Sequence, residues 1–182
     1  MKSKNVTSAK PRIEGAIFRA PIGTALPADA ISELDPAFKE LGFIGEDGLT
    51  NDNSADSDSV KAWGGATVLT IQKEKKDEFK LQLLEVLNTD VLSTVYGSGN
   101  VKGTLKDGIT ISANAKELES GAYVFDMILK GNIAKRIVVP EGKISEIGEV
   151  TYQDGDAVQY EITLTALPDS NGNTHYEYIK QK

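Results

Sequence analysis

Cysteine is absent from the 182 residues, which excludes disulfides, thiolate metal sites and covalent catalysis by a thiol. Packing and backbone pairing must hold the fold. Histidine is almost absent as well. With His175 as the single one, no two-histidine metal site can form, and a Ser-His-acid triad would have to run through one residue in a polar C-terminal stretch. His175 is expected at a surface or an interface. Basic residues are in the minority, 20 Lys and Arg against 27 Asp and Glu, for a formal charge of −7 and an isoelectric point near 4.8. That balance is the wrong sign for a surface that must neutralise phosphates. Long apolar runs are missing too: nowhere do about 18 consecutive apolar residues occur, the length a membrane helix needs. The opening "MKSKNVTSAKPRIEG" contains no apolar stretch of signal-peptide length. A soluble protein made and used without export, with no membrane partner, is therefore expected.

What is present is 40% hydrophobic composition in a chain of this length, enough for one domain with its own core and appendages. The clearest strand is "AVQYEITLTAL", where Val158, Tyr160, Ile162 and Leu164 alternate with polar residues at the period of a half-buried antiparallel strand. "EVTYQDGD" before it alternates in the same way, and Asp154-Gly155 signals a hairpin. A three-residue loop, Asp154 to Asp156, would pair Tyr152 with Val158 and Val150 with Tyr160, uniting the apolar faces. By the same reasoning "VKGTLKDGITISA" turns through Lys106, Asp107 and Gly108, with Leu105 meeting Ile109 and Val101 across from Ala113. Further candidate strands are "GAIFRA", "LGFIGEDGL", "ATVLTIQ", "EFKLQLLEV", "GAYVFDMIL" and "IAKRIVV", separated by Gly, Pro, Asp and Asn. One helix is expected in "NTDVLSTVYGSG", with Val91, Leu92, Val95 and Tyr96 as its apolar stripe, Asn88 or Thr89 as cap and Gly97 as stop. A weaker helical turn fits "LDPAFKELG", capped by Asp35 and stopped by Gly42. The fold class is thus mainly β, an antiparallel sandwich or barrel with one short flanking helix.

Chemistry-bearing motifs fail on inspection. Asp52, Asp56 and Asp58 invite a calcium loop, but the glycine and glutamate positions of that pattern fall on Ser57 and Trp63. "DSNGNTHYEYIK" puts Thr174 and Lys180 at the same positions and reads as a polar hairpin turn. "GSGN" follows a helix instead of preceding one, so it makes no phosphate cradle. "QKEKKDEFK" reads as a charged connection or a protected strand edge. No carboxylate pair stands out as acid and base, so no catalytic, cofactor or metal residue is assigned. Trp63, the single tryptophan, follows the polar run "NDNSADSDSV" and precedes Gly64 and Gly65. Two readings are open for it: an anchor delivered to a neighbouring subunit by a floppy loop, or a core residue at the start of the next strand.

Particular stretches carry a resemblance: "APIGTALP", "LGFIGEDGLT", "KAWGG" and "HYEY", in this order between about Gly15 and Ile179. Together they resemble the major tail protein, or tail tube protein, of bacteriophages with long non-contractile tails. The resemblance implies a β-sandwich or barrel like that of the type VI secretion tube protein, six copies to a ring, and stacked rings forming the tube through which the genome passes. It also implies a virion location, assembly in the host cytoplasm, and a tape-measure protein, a tail assembly chaperone and a tail terminator as partners. DNA would cross an acidic lumen without specific binding. On this reading residues 1–14 are an arm, 15–167 the tube domain with a long inter-subunit loop at 46–65, and 168–182 an extension. The expected contacts are Asp47, Gly48, Leu49, Asp52, Asp56, Asp58, Trp63, Gly64 and Gly65 of the loop, with His175, Tyr176 and Tyr178 of the extension. The competing readings are an adhesion or carbohydrate-binding β module using Trp63, Tyr176 and Tyr178 as stacking platforms, a type VI secretion tube subunit, and, weakest, a carboxylate hydrolase.

Overall fold

The computed structural model describes residues 5–12 and 16–181; residues 1–4 and 13–14 of the expected arm, Gly15 and Lys182 lie outside the described residues. The strands are β1 Ala9–Pro11, β2 Ile17–Pro21, β3 Lys39–Glu40, β4 Thr50–Asp52, β5 Ala55–Lys61, β6 Thr67–Lys75 and β7 Glu78–Leu83. After helix α1, Thr89–Tyr96, come β8 Val101–Thr104, β9 Gly108–Ile111, β10 Gly121–Leu129, β11 Ile133–Ile147, β12 Tyr160–Leu167 and β13 Tyr176–Gln181. The fold is mainly β and antiparallel with one short α-helix among the described residues, as the alternation in the sequence predicts.

Among the described residues, nine strands form the main sheet, in the order β3-β2-β10-β11-β12-β7-β4, with β1 added to β10 and β13 added to β11. The long strand β11 serves two sets of neighbours. Its first half, from Ile133 to Val138, lies between β10 and β13, and its second half, from Glu141, pairs with β12. Pro140 sits at the changeover, where a residue without an amide proton breaks no rung, and the facing strand has its own irregularity between Gly121 and Tyr123. The sheet then curls back on itself. Phe79 on β7 and Phe125 on β10 are three strands apart, a span of about 14 Å in a flat sheet, yet their rings stack with centroids 5.4 Å apart.

That closure encloses the principal core, built from Ile17, Phe79, Leu81, Leu83, Phe125, Val139, Ile162 and Leu164 with the helix residues Val91, Leu92 and Val95. Each fully buried large apolar side chain contributes about 1.5–3 kcal/mol. Helix α1 forms as the sequence predicts. The Asn88 side chain accepts from the Asp90 amide, and the Gly97 amide closes on the Ser93 carbonyl. A smaller cluster on the opposite face, around Phe38, Val124 and Val138, is covered by Leu34, Tyr176 and Tyr178.

Several local expectations are corrected. "LGFIGEDGL" is no strand: only Ile44 bridges to Leu83, because the turn that closes Gly48 N–H on the Gly45 carbonyl interrupts it. The turn at "LDPAFKELG" does not become a helix. The Asp35 side chain accepts from the Ala37 amide, its carbonyl accepts from Phe38, and the chain moves straight into β3. A turn does occur at 154–156, but the ladder expected beside it is absent, so Val150 does not face Tyr160. β12 instead pairs with the end of β11, Ile147 opposite Ile162, and its Tyr160 end is held from the other side by Leu83 of β7. The β8–β9 hairpin exists with its loop at 105–107, so that Val101 faces Ile111 and not Ala113. This two-residue slip keeps Val101 and Ile109 on the same side. It also lets Thr104 close the loop by donating to Asp107.

Candidate assembly surfaces

Half of the stretch 46–65 is strand, Thr50–Asp52 and Ala55–Lys61, where the sequence led to the expectation of a floppy loop. Glu46 and Asp47 turn the chain, Gly48 closes that turn, and Leu49 packs against the principal core. β4 then adds to β7 through Asn51↔Phe79, and from Ala55 onward the chain leaves the sheet. Among the described residues β5 and β6 pair only with each other, and every residue of both is exposed. At the far end the Gly65 amide bonds the Ala62 carbonyl, and Ala62 N–H bonds Ala66. Gly64 and Gly65 hold φ of 106° and 90°, a region that only glycine enters without strain. Trp63 lies in that turn, fully exposed, which overturns the core reading of this residue within the isolated subunit.

One side of the hairpin carries three apolar side chains together with Asp58. Val60 faces Leu69 and Asp58 faces Ile71 across the ladder, so Val60, Leu69 and Ile71 share a face, and all three are about half exposed. Charges run from the middle of the hairpin to its root: Lys73 Nζ is 2.5 Å from Asp58, and Lys76 bridges Glu78 at 2.8 Å and Asp52 at 3.9 Å. The bond to Glu78 chiefly holds the Lys76 ammonium above its usual value. A free two-stranded ribbon is only marginally stable in water. This one leaves Val60, Leu69, Ile71 and the Trp63 indole uncovered.

The second surface is the sheet half β1-β10-β11-β13. β1 and β13 each have one neighbour among the described residues, so both ends of this four-stranded segment present backbone edges. Tyr176 and Tyr178 lie on β13 and turn towards the smaller core. The Tyr176 hydroxyl donates to Asp169 at 2.6 Å, a bond that foremost holds the Asp169 carboxyl below its usual range. The two tyrosines are therefore half-buried and gather into no stacking platform with Trp63. His175 is partly buried, its side chain 14% exposed. Its Nδ1 lies 2.6 Å from Asp77 Oδ2, and its ring meets Phe79 edge-on at 5.3 Å.

Asp77, hidden inside the charged run "QKEKKDEFK", is the polar residue that sequence reasoning missed. It is 2% exposed and accepts from Asn51 Nδ2 at 2.8 Å, from the Thr174 hydroxyl and from His175. Burial would raise its pKa, but these hydrogen bonds outweigh burial and hold the carboxyl below its usual value. Its periodicity offered one signal: Asp77 stands two positions before Phe79 on the buried side of a strand. The expected contact residues therefore divide into four places: 47–49 at the groove beside β1, Asp52 on β4 of the main sheet, 56–65 on the hairpin, and 175–178 at the β13 edge.

The chain matches the family described as phage tail tube protein over residues 9–182. No curated protein matches it. Among solved structures it is similar to the sheath/tube terminator of an extracellular contractile injection system in its extended state. That similarity has 10% identity and a TM-score of 0.45, covering 92% of this chain and 96% of that one.

Proposed function

The chain belongs to the phage tail tube protein family, so it is a structural protein of the phage tail, and from that premise we propose that six copies close into a ring and that rings stack into the hollow tube through which DNA passes. The β5–β6 hairpin carries this reading: an all-exposed ribbon with Val60, Leu69, Ile71 and Trp63 uncovered has its apolar side buried only when another subunit receives it. Ring closure is assigned to the edges of β1 and β13. Because every pair in the β1-β10-β11-β13 segment is antiparallel, β13 of one copy and β1 of the next run in opposite directions. They extend the sheet as an antiparallel pair. Such a contact is head-to-tail and closes when its rotation divides a circle. Lys10 and Pro11 in β1 keep that edge from pairing indiscriminately.

The net charge of −7 supports an acidic wall along which DNA slides, since carboxylates repel phosphates and prevent counterion-releasing contacts. Asp126 is not part of that wall, being buried against Arg136. The tape-measure protein, the assembly chaperone and the tail terminator belong to the same reading, as does assembly in the host cytoplasm before incorporation into the virion. The test is electron microscopy of the concentrated full chain in negative stain, with sedimentation beside it. Hollow tubes of uniform width with six subunits per ring are expected. Tubes of another rotational order would overturn the hexamer, and irregular aggregates would overturn the ring.

A further inference from the structure

Asp77 sits where three segments meet, and two of them lead to the assembly surfaces. Towards the hairpin, its side chain accepts from Asn51 of β4. Next to it Lys76 N–H bonds the Ser54 carbonyl at 2.8 Å, and Asn51 Nδ2 also reaches the Glu78 carbonyl at 3.1 Å. Both legs of the hairpin are thus tied together at the root. Towards the edge strand, the same carboxylate accepts from Thr174 and His175, the two residues that precede β13. The Ala166 amide on β12 bonds the Asp77 carbonyl at 2.8 Å, fixing the meeting point to the main sheet. The imidazole leans on Phe79, a fully buried core residue. Removing His175 takes one of three donors from the buried Asp77 carboxylate, and removing the Asp77 charge weakens all three of those bonds at once.

We infer that Asp77 and His175 are positioning residues, a joint that holds the root of the β5–β6 hairpin and the β13 edge in one fixed relation, so that the contact within a ring and the contact between rings are presented together. Its functional half rests on the tube reading; its structural half does not. A two-stranded ribbon standing off a domain has few restraints on its direction apart from its root, and Asn51, Ser54 and Lys76 are that root. Without the joint, Trp63 would sample many directions relative to the β13 edge, and each assembly step would have to order it at an entropic cost.

The test compares the wild-type chain with His175→Ala, His175→Asn and Asp77→Asn. Asn is the informative replacement for His175, because its Nδ2 sits where the imidazole Nδ1 does and donates the same bond. Hydrogen exchange is measured on the unassembled subunit, and the subunit concentration left in equilibrium with tubes is measured by sedimentation. In His175→Ala and Asp77→Asn, amides of 50–54 and 176–181 should exchange together about tenfold faster while those of β10 keep their rates, as expected for local opening after loss of one charged hydrogen bond. The residual subunit concentration should rise several-fold in the same variants, and His175→Asn should restore both quantities. Faster exchange confined to 176–181, acceleration throughout the sheet, or no recovery in His175→Asn would each overturn the joint. If the wild-type chain formed no tubes, the tube reading would fail while the exchange data still decided the coupling.

Discussion

Arg136 and Asp126 face each other across β10 and β11 in a two-pronged pair, Nε 2.6 Å from Oδ1 and Nη2 2.8 Å from Oδ2, and both are buried. The remaining guanidinium nitrogen donates to the Ser32 and Asp29 carbonyls at 2.9 and 3.2 Å, so one buried cation pins the 29–32 segment to the sheet. Arg12 adds a more exposed contact to the same carboxylate at 3.2 Å. Truncating Arg136 to Ala leaves buried Asp126 with the more exposed Arg12 contact in place of the two-pronged pair, and should cost about 3 kcal/mol in urea unfolding. Arg136→Lys should recover only part of this, since an ammonium supplies neither the fork nor the reach to both carbonyls.

Trp63 behaves oppositely. Being fully exposed at the hairpin tip, its replacement by Ala should leave unfolding within about 0.5 kcal/mol of wild type while tube formation is lost. Thermal unfolding and electron microscopy of the same sample separate the two effects. Normal tubes from a stable Trp63→Ala chain would remove the indole from the assembly contact.

Acid should weaken the fold partly through Asp77. Its pKa is lower folded than unfolded, so the unfolded chain binds more protons as pH falls. The stabilisation is present above the ordinary carboxylate value of about 4 and is lost as pH drops through the depressed folded value. Unfolding free energy should therefore fall below about pH 4, and Asp77→Asn should flatten that slope. An unchanged acid limb in the variant would contradict the assignment.

Gly103 holds φ of 89°, and a Cβ there would come within 2.0 Å of the Gly108 carbonyl oxygen. Gly103→Ala should cost about 1–3 kcal/mol, combining left-handed strain with a backbone collision. Faster proteolysis at the 105–107 loop should accompany it. A variant as stable as wild type would place the hairpin in a different register.

Much of the fold was legible in the chain because strands and helix write their periods locally. The alternation through Tyr160, Ile162 and Leu164 located β12, "GAYVFDMIL" delimited β10, and the Asn88 and Gly97 signals bounded the helix. Where the sequence misled, a distant partner was deciding. Val150 and Tyr152 alternate as a strand should, yet β12 is held by β7 and the end of β11, so the near segment finds no ladder. "LGFIGEDGL" has strand composition, but its closed Gly45–Gly48 turn leaves a single bridge.

The candidate surfaces divide along the same line. Sequence alone determined that there is no thiol, a single histidine, an acidic balance, β modules around one helix, and a lone Trp beside a polar run and two glycines; each of these is a property of composition or near neighbours. Only the tertiary structure decided that the polar run is a standing hairpin, that Trp63 is uncovered, that β1 and β13 end one sheet segment, and that Asp77 meets His175 from 98 residues away. Those facts depend on how a curled sheet brings remote strands together, and the chain's local periodicity carries no record of it.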